Sequence, residues 1–187
     1  KNAPPLTKEF LLGLASAAPA RPTVMASPEE VDGLEAKEGW DVEDWGNPVE
    51  IRVDDSAEGR GKVMVVKPKT GDHDKCAVSL LLKEDLTKLT NLTLEVRHNA
   101  NAPIQIALAV RMGAEEKYFE SRAVSVAPGQ WKYDLKVDLM TKDFKSEASN
   151  WEYRTGLSDL NELRRLTLVI QGAEGKEVAF DRIRLEK

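Results

Sequence analysis

Cysteine is nearly absent: Cys76 is the only one in 187 residues. No intrachain disulfide can form, so a packed core must hold the fold, and the chain is long enough to build one without staples. The scarcity does not fix a compartment. Cys76 opens the apolar stretch Cys76-Ala-Val-Ser-Leu-Leu-Leu82. There it reads as a small buried hydrophobe, because a nucleophilic thiol needs a basic, partly exposed setting. Positive charge is also in short supply. Lys and Arg number 27 against 32 Asp and Glu, a net charge of −5. The bases alternate with acids, as in Lys132-Tyr-Asp134 and Lys136-Val-Asp138. Nucleic-acid binding needs clustered cations and is not expected. Long hydrophobic runs are missing too. The longest apolar uncharged run, Phe10 to Ala20, falls well below the roughly 20 residues that span a bilayer as a helix. It follows Lys8 and ends in small residues, in the manner of a signal-peptide apolar region. Lying within the chain, it is read as a retained extension.

What is present divides in two. Six of the nine prolines precede residue 50, which sets the N-terminal part apart from the rest. Thr7 to Ala17 is expected to form a short helix capped by Thr7, with Phe10, Leu11 and Leu14 on one face. Ala18 to Val24 reads as an extended linker. A lone helix of that length is marginal in water, so it needs a surface, on its own domain or on another chain. The expected division is an extension over residues 1–30 and a β-domain over 31–187.

From Val31 onward apolar residues recur with a period of two. The pattern runs through Val49–Val53, Gly61–Lys67, Val78–Leu82, Leu92–Val96, Ile104–Val110, Trp131–Val137, Leu166–Ile170 and the closing segment from Val178. One apolar face and one mixed face per strand is the mark of antiparallel sheet packed on one side. Turn residues separate the runs, as in Glu58-Gly-Arg-Gly61, Asn99-Ala-Asn-Ala-Pro103 and Gly172-Ala-Glu-Gly175. About ten short strands predict an all-β, two-sheet antiparallel β-sandwich. Ser158 to Arg164 is the one short helix expected in the domain.

The closing segment, Val178-Ala-Phe-Asp-Arg-Ile-Arg-Leu-Glu-Lys187, contains a fault. Val178 and Phe180 share one phase, Ile183 and Leu185 the other. Either a bulge sits near Asp181–Arg182, or Asp181 shares a buried face with Ile183 and Leu185. A buried carboxylate is costly unless paired, hydrogen-bonded or metal-bound.

In order, Leu34-Glu35 with Gly39-Trp40, Gly61-Lys-Val-Met-Val65, Ala127-Pro-Gly-Gln-Trp-Lys-Tyr-Asp-Leu135, Leu157-Ser-Asp-Leu-Asn-Glu-Leu163 and Val178–Leu185 resemble the landmarks of jelly-roll carbohydrate-binding modules and the wider galactose-binding-like superfamily. The resemblance implies that the sandwich is a jelly roll, and the short N-terminal helical or extended extension read above precedes it. The resemblance also implies a structural calcium tying the first strand to the last, which falls here on Glu35 and Asp181. Calcium takes six to eight oxygens, and Asp54 to Glu58 are candidates for further ones. The other reading of Asp181 is an arginine pair or a cap on backbone N–H groups.

Sugar binding in such modules implies exposed rings that stack on pyranose faces. Trp131 and Tyr133 lie on the apolar face of their strand and are expected in the core, with Trp40. Trp45, Trp151 and Tyr153 remain as ligand candidates. They either line a groove or plug an end of the sandwich. The outward face of the Ile104 strand shows Gln105, Ala107, Ala109 and Arg111, a departure from a good sugar binder: the alanines offer no stacking platform, and either form the floor of a shallow concave face or pack under a neighbouring segment.

Catalysis is not expected. Gly71-Asp-His-Asp-Lys75 has the composition of a hairpin tip, and His98 has no evident partner in the sequence. No carboxylate pair stands out as a glycosidase pair would. The expected function is a non-catalytic, carbohydrate-binding-module-like domain of a secreted or surface protein, extracellular or periplasmic, binding a polysaccharide or glycoconjugate. The alternative is a structural or assembly subunit whose residues 1–30 dock on a neighbouring chain.

Overall fold

The computed structural model describes residues 29–30, 39–56 and 61–187. The expected Thr7–Ala17 helix, the linker after it and Glu35 lie outside these residues. The described residues form thirteen strands: β1 Glu29–Glu30, β2 Trp40–Val42, β3 Val49–Asp55, β4 Lys62–Pro68, β5 Lys75–Glu84, β6 Asn91–His98, β7 Ile104–Met112, β8 Lys117–Ser121, β9 Val124–Val126, β10 Lys132–Asp138, β11 Phe144–Lys145, β12 Leu163–Gln171 and β13 Val178–Glu186. They form two antiparallel sheets. A six-stranded sheet runs β10-β6-β13-β4-β3, with β1 added beside β13. A seven-stranded sheet runs β11-β8-β7-β12-β5-β2, with β9 added beside β7.

The alternation foreseen in the sequence decides which face is inward. Leu166, Leu168 and Ile170 of β12 and Ile106, Leu108 and Val110 of β7 join Leu92, Leu94 and Val96 of β6 and Phe180 of β13 in one buried cluster. Burying each such side chain stabilises the fold by roughly 1.5–3 kcal/mol. Trp40 and Cys76 belong to the same cluster. Burial pushes the Cys76 thiol up to about 12, so it packs as a hydrophobe and supplies no thiolate near neutral pH.

The fault in β13 is a bulge. Pairing with β6 shifts register between Asp181 and Arg184, and Arg182 takes a left-handed φ of 48°. One extra residue flips the phase, so Val178, Phe180, Ile183 and Leu185 all reach the core. Asp181 stays out of that cluster yet is buried, in register with Glu95 of β6.

A second bulge corrects the sequence reading. The β10–β6 register shifts between Lys132 and Leu135. Leu135 and Val137 are in the core, whereas Trp131 and Tyr133 are outside it and half-buried. The expected helix at Ser158–Arg164 is also absent. Asp159 has φ 54°, the Ser158 hydroxyl lies 3.0 Å from the Asp159 carboxylate, and the Leu160 carbonyl accepts a bond from Leu86 N–H at 2.7 Å. Leu157 and Leu160 pack on the core from this open turn. His98 is buried and has partners: Nδ1 accepts from Ala100 N–H at 3.2 Å, so Nε2 carries the proton and donates to the Val126 carbonyl at 2.9 Å. Its hydrogen bonds are structural.

Candidate functional site

The outward face of the seven-stranded sheet carries the site. Its floor is made of small side chains, because β12 sets Val169 between Ala77 of β5 and Ala107 of β7. Ala77, Ala107, Ala109 and Val169 are buried, and Trp45 and Tyr118 pack on them. The alanines are therefore the base on which rings sit. Flat rings need such a base: a longer side chain at Ala107 or Ala109 would lift them off the sheet.

Trp45 comes from the loop Glu43 to Pro48 that follows β2. This loop continues the β2–β5 ladder. Glu43 N–H donates to the Ala77 carbonyl at 3.1 Å and Asn47 N–H to the Lys75 carbonyl at 2.8 Å. The buried Asn47 side chain clamps the next turn, giving Nδ2–H to the His73 carbonyl at 2.6 Å and accepting His73 N–H at 2.9 Å. His73 thus sits in an exposed turn, but this turn carries the chain from β4 in one sheet to β5 in the other and is not the hairpin tip that its composition suggested. Gly46 permits the close approach: a Cβ there would lie 2.9 Å from the Cys76 backbone.

Trp151 comes from the opposite side. A single 3-10 turn, Glu147–Ser149, is followed by two residues in the left-handed region, Asn150 at φ 57° and Trp151 at φ 61°. A non-glycine residue there costs about 1–2 kcal/mol. The turn is held by Ser149, whose hydroxyl accepts from Ser146 N–H at 3.0 Å and donates to the Glu152 carbonyl at 2.7 Å. Trp151 N–H also returns to the Ser146 carbonyl at 2.9 Å. The result is a strained, bolted loop in which Trp151 is 55% exposed.

Tyr118 of β8 stands between the two tryptophans. Its ring meets Trp45 edge-on at 6.4 Å between centroids and Trp151 at 5.9 Å with a 52° tilt. Lys75, Arg111, Glu120 and Lys145 complete a groove of about 280 Å³ with these three rings. Tyr153 lies beside it. Arg122 covers its ring at 4.5 Å, and Lys145 is 5.3 Å from its centroid.

Two carboxylates hold the groove in shape. Glu43 accepts from Trp45 Nε1–H at 3.0 Å, from Arg111 at 3.4 Å and from the Ser79 hydroxyl. A carboxylate only accepts, so Ser79 spends its proton on Glu43 and receives that of Thr167, 2.7 Å away. Glu120 accepts from the Tyr118 hydroxyl at 2.9 Å and from Lys145 at 2.7 Å. Burial and the nearby Glu120 charge hold the Tyr118 phenol well above the usual tyrosine range, so it stays neutral. Burial is the largest influence on Lys145 and lowers its pKa, but the hydrogen bonds and charges of Glu120 and Tyr153 together outweigh it and raise it.

The sequence candidates Trp45 and Trp151 meet in one groove, with Tyr153 at its side. Tyr118 was missed. Its signal was the alternation of Tyr118 and Glu120 against Phe119, a short strand after the Gly113 turn. Trp131 and Tyr133 line a larger cleft of about 730 Å³ beside Glu95. The other groups that line it, among them Glu95, Gln130, Lys132 and Asp134, are mostly polar. Among the described residues, no three His, Cys, Asp or Glu side chains come together as a metal cage. Asp54 is taken by Arg52 at 2.8 Å and Asp55 by Lys62 at 3.3 Å.

The fold is the jelly-roll β-sandwich of carbohydrate-binding modules. A family 11 carbohydrate-binding module from Clostridium thermocellum, solved with a β-1,3-1,4-mixed-linked tetrasaccharide, matches at a TM-score of 0.62 with 14% identity, over 84% of this chain and 94% of that one. A non-crystalline cellulose-specific module of family 28 matches at 0.58 with 11% identity, over 82% of this chain and 89% of that one. An exo-β-agarase matches at 0.63 with 12% identity, over 86% of this chain and 25% of that one. No family model matches the sequence, and no curated protein matches it.

Proposed function

We propose that this chain is a non-catalytic carbohydrate-binding module of a secreted or surface protein, which holds a polysaccharide or glycoconjugate in the groove of Trp45, Tyr118 and Trp151. The observation that carries the reading is the ring row on an alanine floor, on the outer face of a sandwich whose structural neighbours include modules solved for sugar binding. Sugar rings have an apolar C–H face and an equatorial rim of hydroxyls. A groove with rings below and polar groups at the margin suits both. Tyr153 with its two cations lies beside it. The binding role accords with the state of Glu43 and Glu120: both are taken up by internal donors, which leaves neither poised as a glycosidase acid or base.

The test is a polysaccharide panel read by affinity electrophoresis and by tryptophan fluorescence. At least one glycan is expected to retard the protein and change its emission at micromolar to millimolar concentration. Silence across neutral and acidic polymers would overturn the proposal. The assembly reading turns on residues 1–30, of which Glu29–Glu30 pair with this chain's own β13 at Leu185 and Arg184.

Calcium enters the proposal only as a stabiliser. The described residues supply Asp181 and no cage around it, so the remaining oxygens would come from Glu35 and nearby carbonyls. Added calcium is then expected to raise the melting temperature, chelator to reverse it, and Asp181→Asn to abolish the rise. No rise in the unmodified protein removes calcium from the proposal.

A further inference from the structure

The cations on the groove face are almost all matched. Arg111 faces Glu43 at 3.4 Å, Lys145 faces Glu120 at 2.7 Å and Arg165 faces Asp41 at 3.0 Å. Around Trp151 and Tyr153, Arg122 pairs with Asp143 at 2.6 Å and Arg154 with Glu152 at 3.2 Å. Lys75 is the exception. It lines the groove, half-buried, with its ammonium 5.2 Å from the centre of the Trp45 ring. Among the described residues no carboxylate lies within ion-pair distance of it. The groove therefore holds Lys75, Arg111 and Lys145 against Glu43 and Glu120, an excess of one positive charge on a chain whose net charge is −5.

An ammonium placed over an indole is held partly by cation–π attraction. That attraction keeps it in place without neutralising it. Its hydrogen-bond donors remain available to a group arriving over the rings. A neutral sugar hydroxyl can accept one of them, but an anion gains more, since charge-assisted bonds are about twice as strong as neutral ones. The acidic surface elsewhere would repel a polyanion, which confines any attraction to this groove.

We infer that the groove is selective for an acidic glycan, with Lys75 pairing to a carboxylate or sulfate ester on a sugar stacked against Trp45. This rests on the reading of the groove as a glycan site and names the class it takes. Lys75 is then the specificity-determining residue, while Arg111 and Lys145 are spent on shaping the groove.

The experiment compares polymers that differ in charge alone. Oligogalacturonate is paired with its methyl ester, and a sulfated galactan with its desulfated form. Affinities are measured by calorimetry at low and moderate salt, for the wild type and for Lys75→Gln, with the melting temperature of each recorded. The expected result is that one acidic polymer binds at least about tenfold more tightly than its neutral partner. The preference shrinks as salt rises and collapses in Lys75→Gln. Whichever pair shows it identifies the anion. If Lys75→Gln folds poorly, the salt dependence and acidic-to-neutral ratio of the wild type still decide. Equal or tighter binding of the neutral forms overturns the inference and leaves the glycan reading standing. A preference that persists in a folded Lys75→Gln overturns the assignment to Lys75. Silence from all four polymers together with the wider panel fails both.

Discussion

Replacing Trp151 by alanine is expected to weaken glycan binding by roughly 30-fold, the equivalent of about 2 kcal/mol, and to shift the melting temperature by no more than about 2 °C. The two halves of that expectation come from one geometry. Trp151 is 55% exposed, so removal of its ring gives up little burial. Its backbone is held by the Ser146 carbonyl and by the Ser149 staple rather than by the ring. Alanine pays the same left-handed penalty as tryptophan, because that penalty arises at Cβ. Glycine does not, so Trp151→Gly separates strain from stacking. It should bind no better than Trp151→Ala while melting at or above it. Should Trp151→Ala bind as well as the wild type, the ring row would not be the site. A large fall in melting temperature would make the indole a structural plug, the alternative that the sequence left open.

The strands were legible because period-two alternation is a direct consequence of half-buried sheet. Faults in that alternation were legible only where they broke the phase of apolar residues. In β13 the switch from Val178 and Phe180 to Ile183 and Leu185 exposes the bulge in the letters themselves. In β10 nothing does. Trp131, Tyr133, Leu135 and Val137 alternate without a break, so the bulge against β6 leaves no trace and puts two rings outside a core they seemed made for. The same limit governs the site. Trp45 and Trp151 stood out because neither fits a strand pattern. Tyr118 did not, because a ring in a five-residue strand looks like any other half-buried position. What brings these rings together is the order β8-β7-β12-β5 in the sheet, a long-range pairing that a local pattern does not encode. Glu43 was hidden for another reason: in the acidic run Asp41-Val-Glu-Asp44 it reads as solvated charge.

Glu43→Ala is expected to be the most damaging single change to the groove. It should lower stability by about 2–3 kcal/mol, a fall of roughly 5–10 °C in melting temperature, and also reduce glycan affinity about tenfold or more. The Glu43 side chain is 11% exposed and serves three donors. Its loss leaves the Trp45 indole N–H, the Ser79 hydroxyl and the Arg111 guanidinium without their acceptor at once. Arg111 then becomes a second unmatched cation in a partly desolvated groove, which opposes folding and frees it to compete with Lys75 for any anion. Glu43→Gln keeps one carbonyl acceptor but turns an amide against the remaining donors, so a smaller loss of the same kind is expected. A cycle with Trp45→Phe distinguishes orientation from bulk. Phenylalanine has no N–H to give, so if Glu43 acts by aiming the indole, the losses in affinity from Glu43→Gln and Trp45→Phe will be less than additive. Additive losses would mean that Glu43 supports the sheet and leaves Trp45 to place itself. An unchanged melting temperature and affinity in Glu43→Ala would remove the hydrogen-bond hub from the account of the groove altogether.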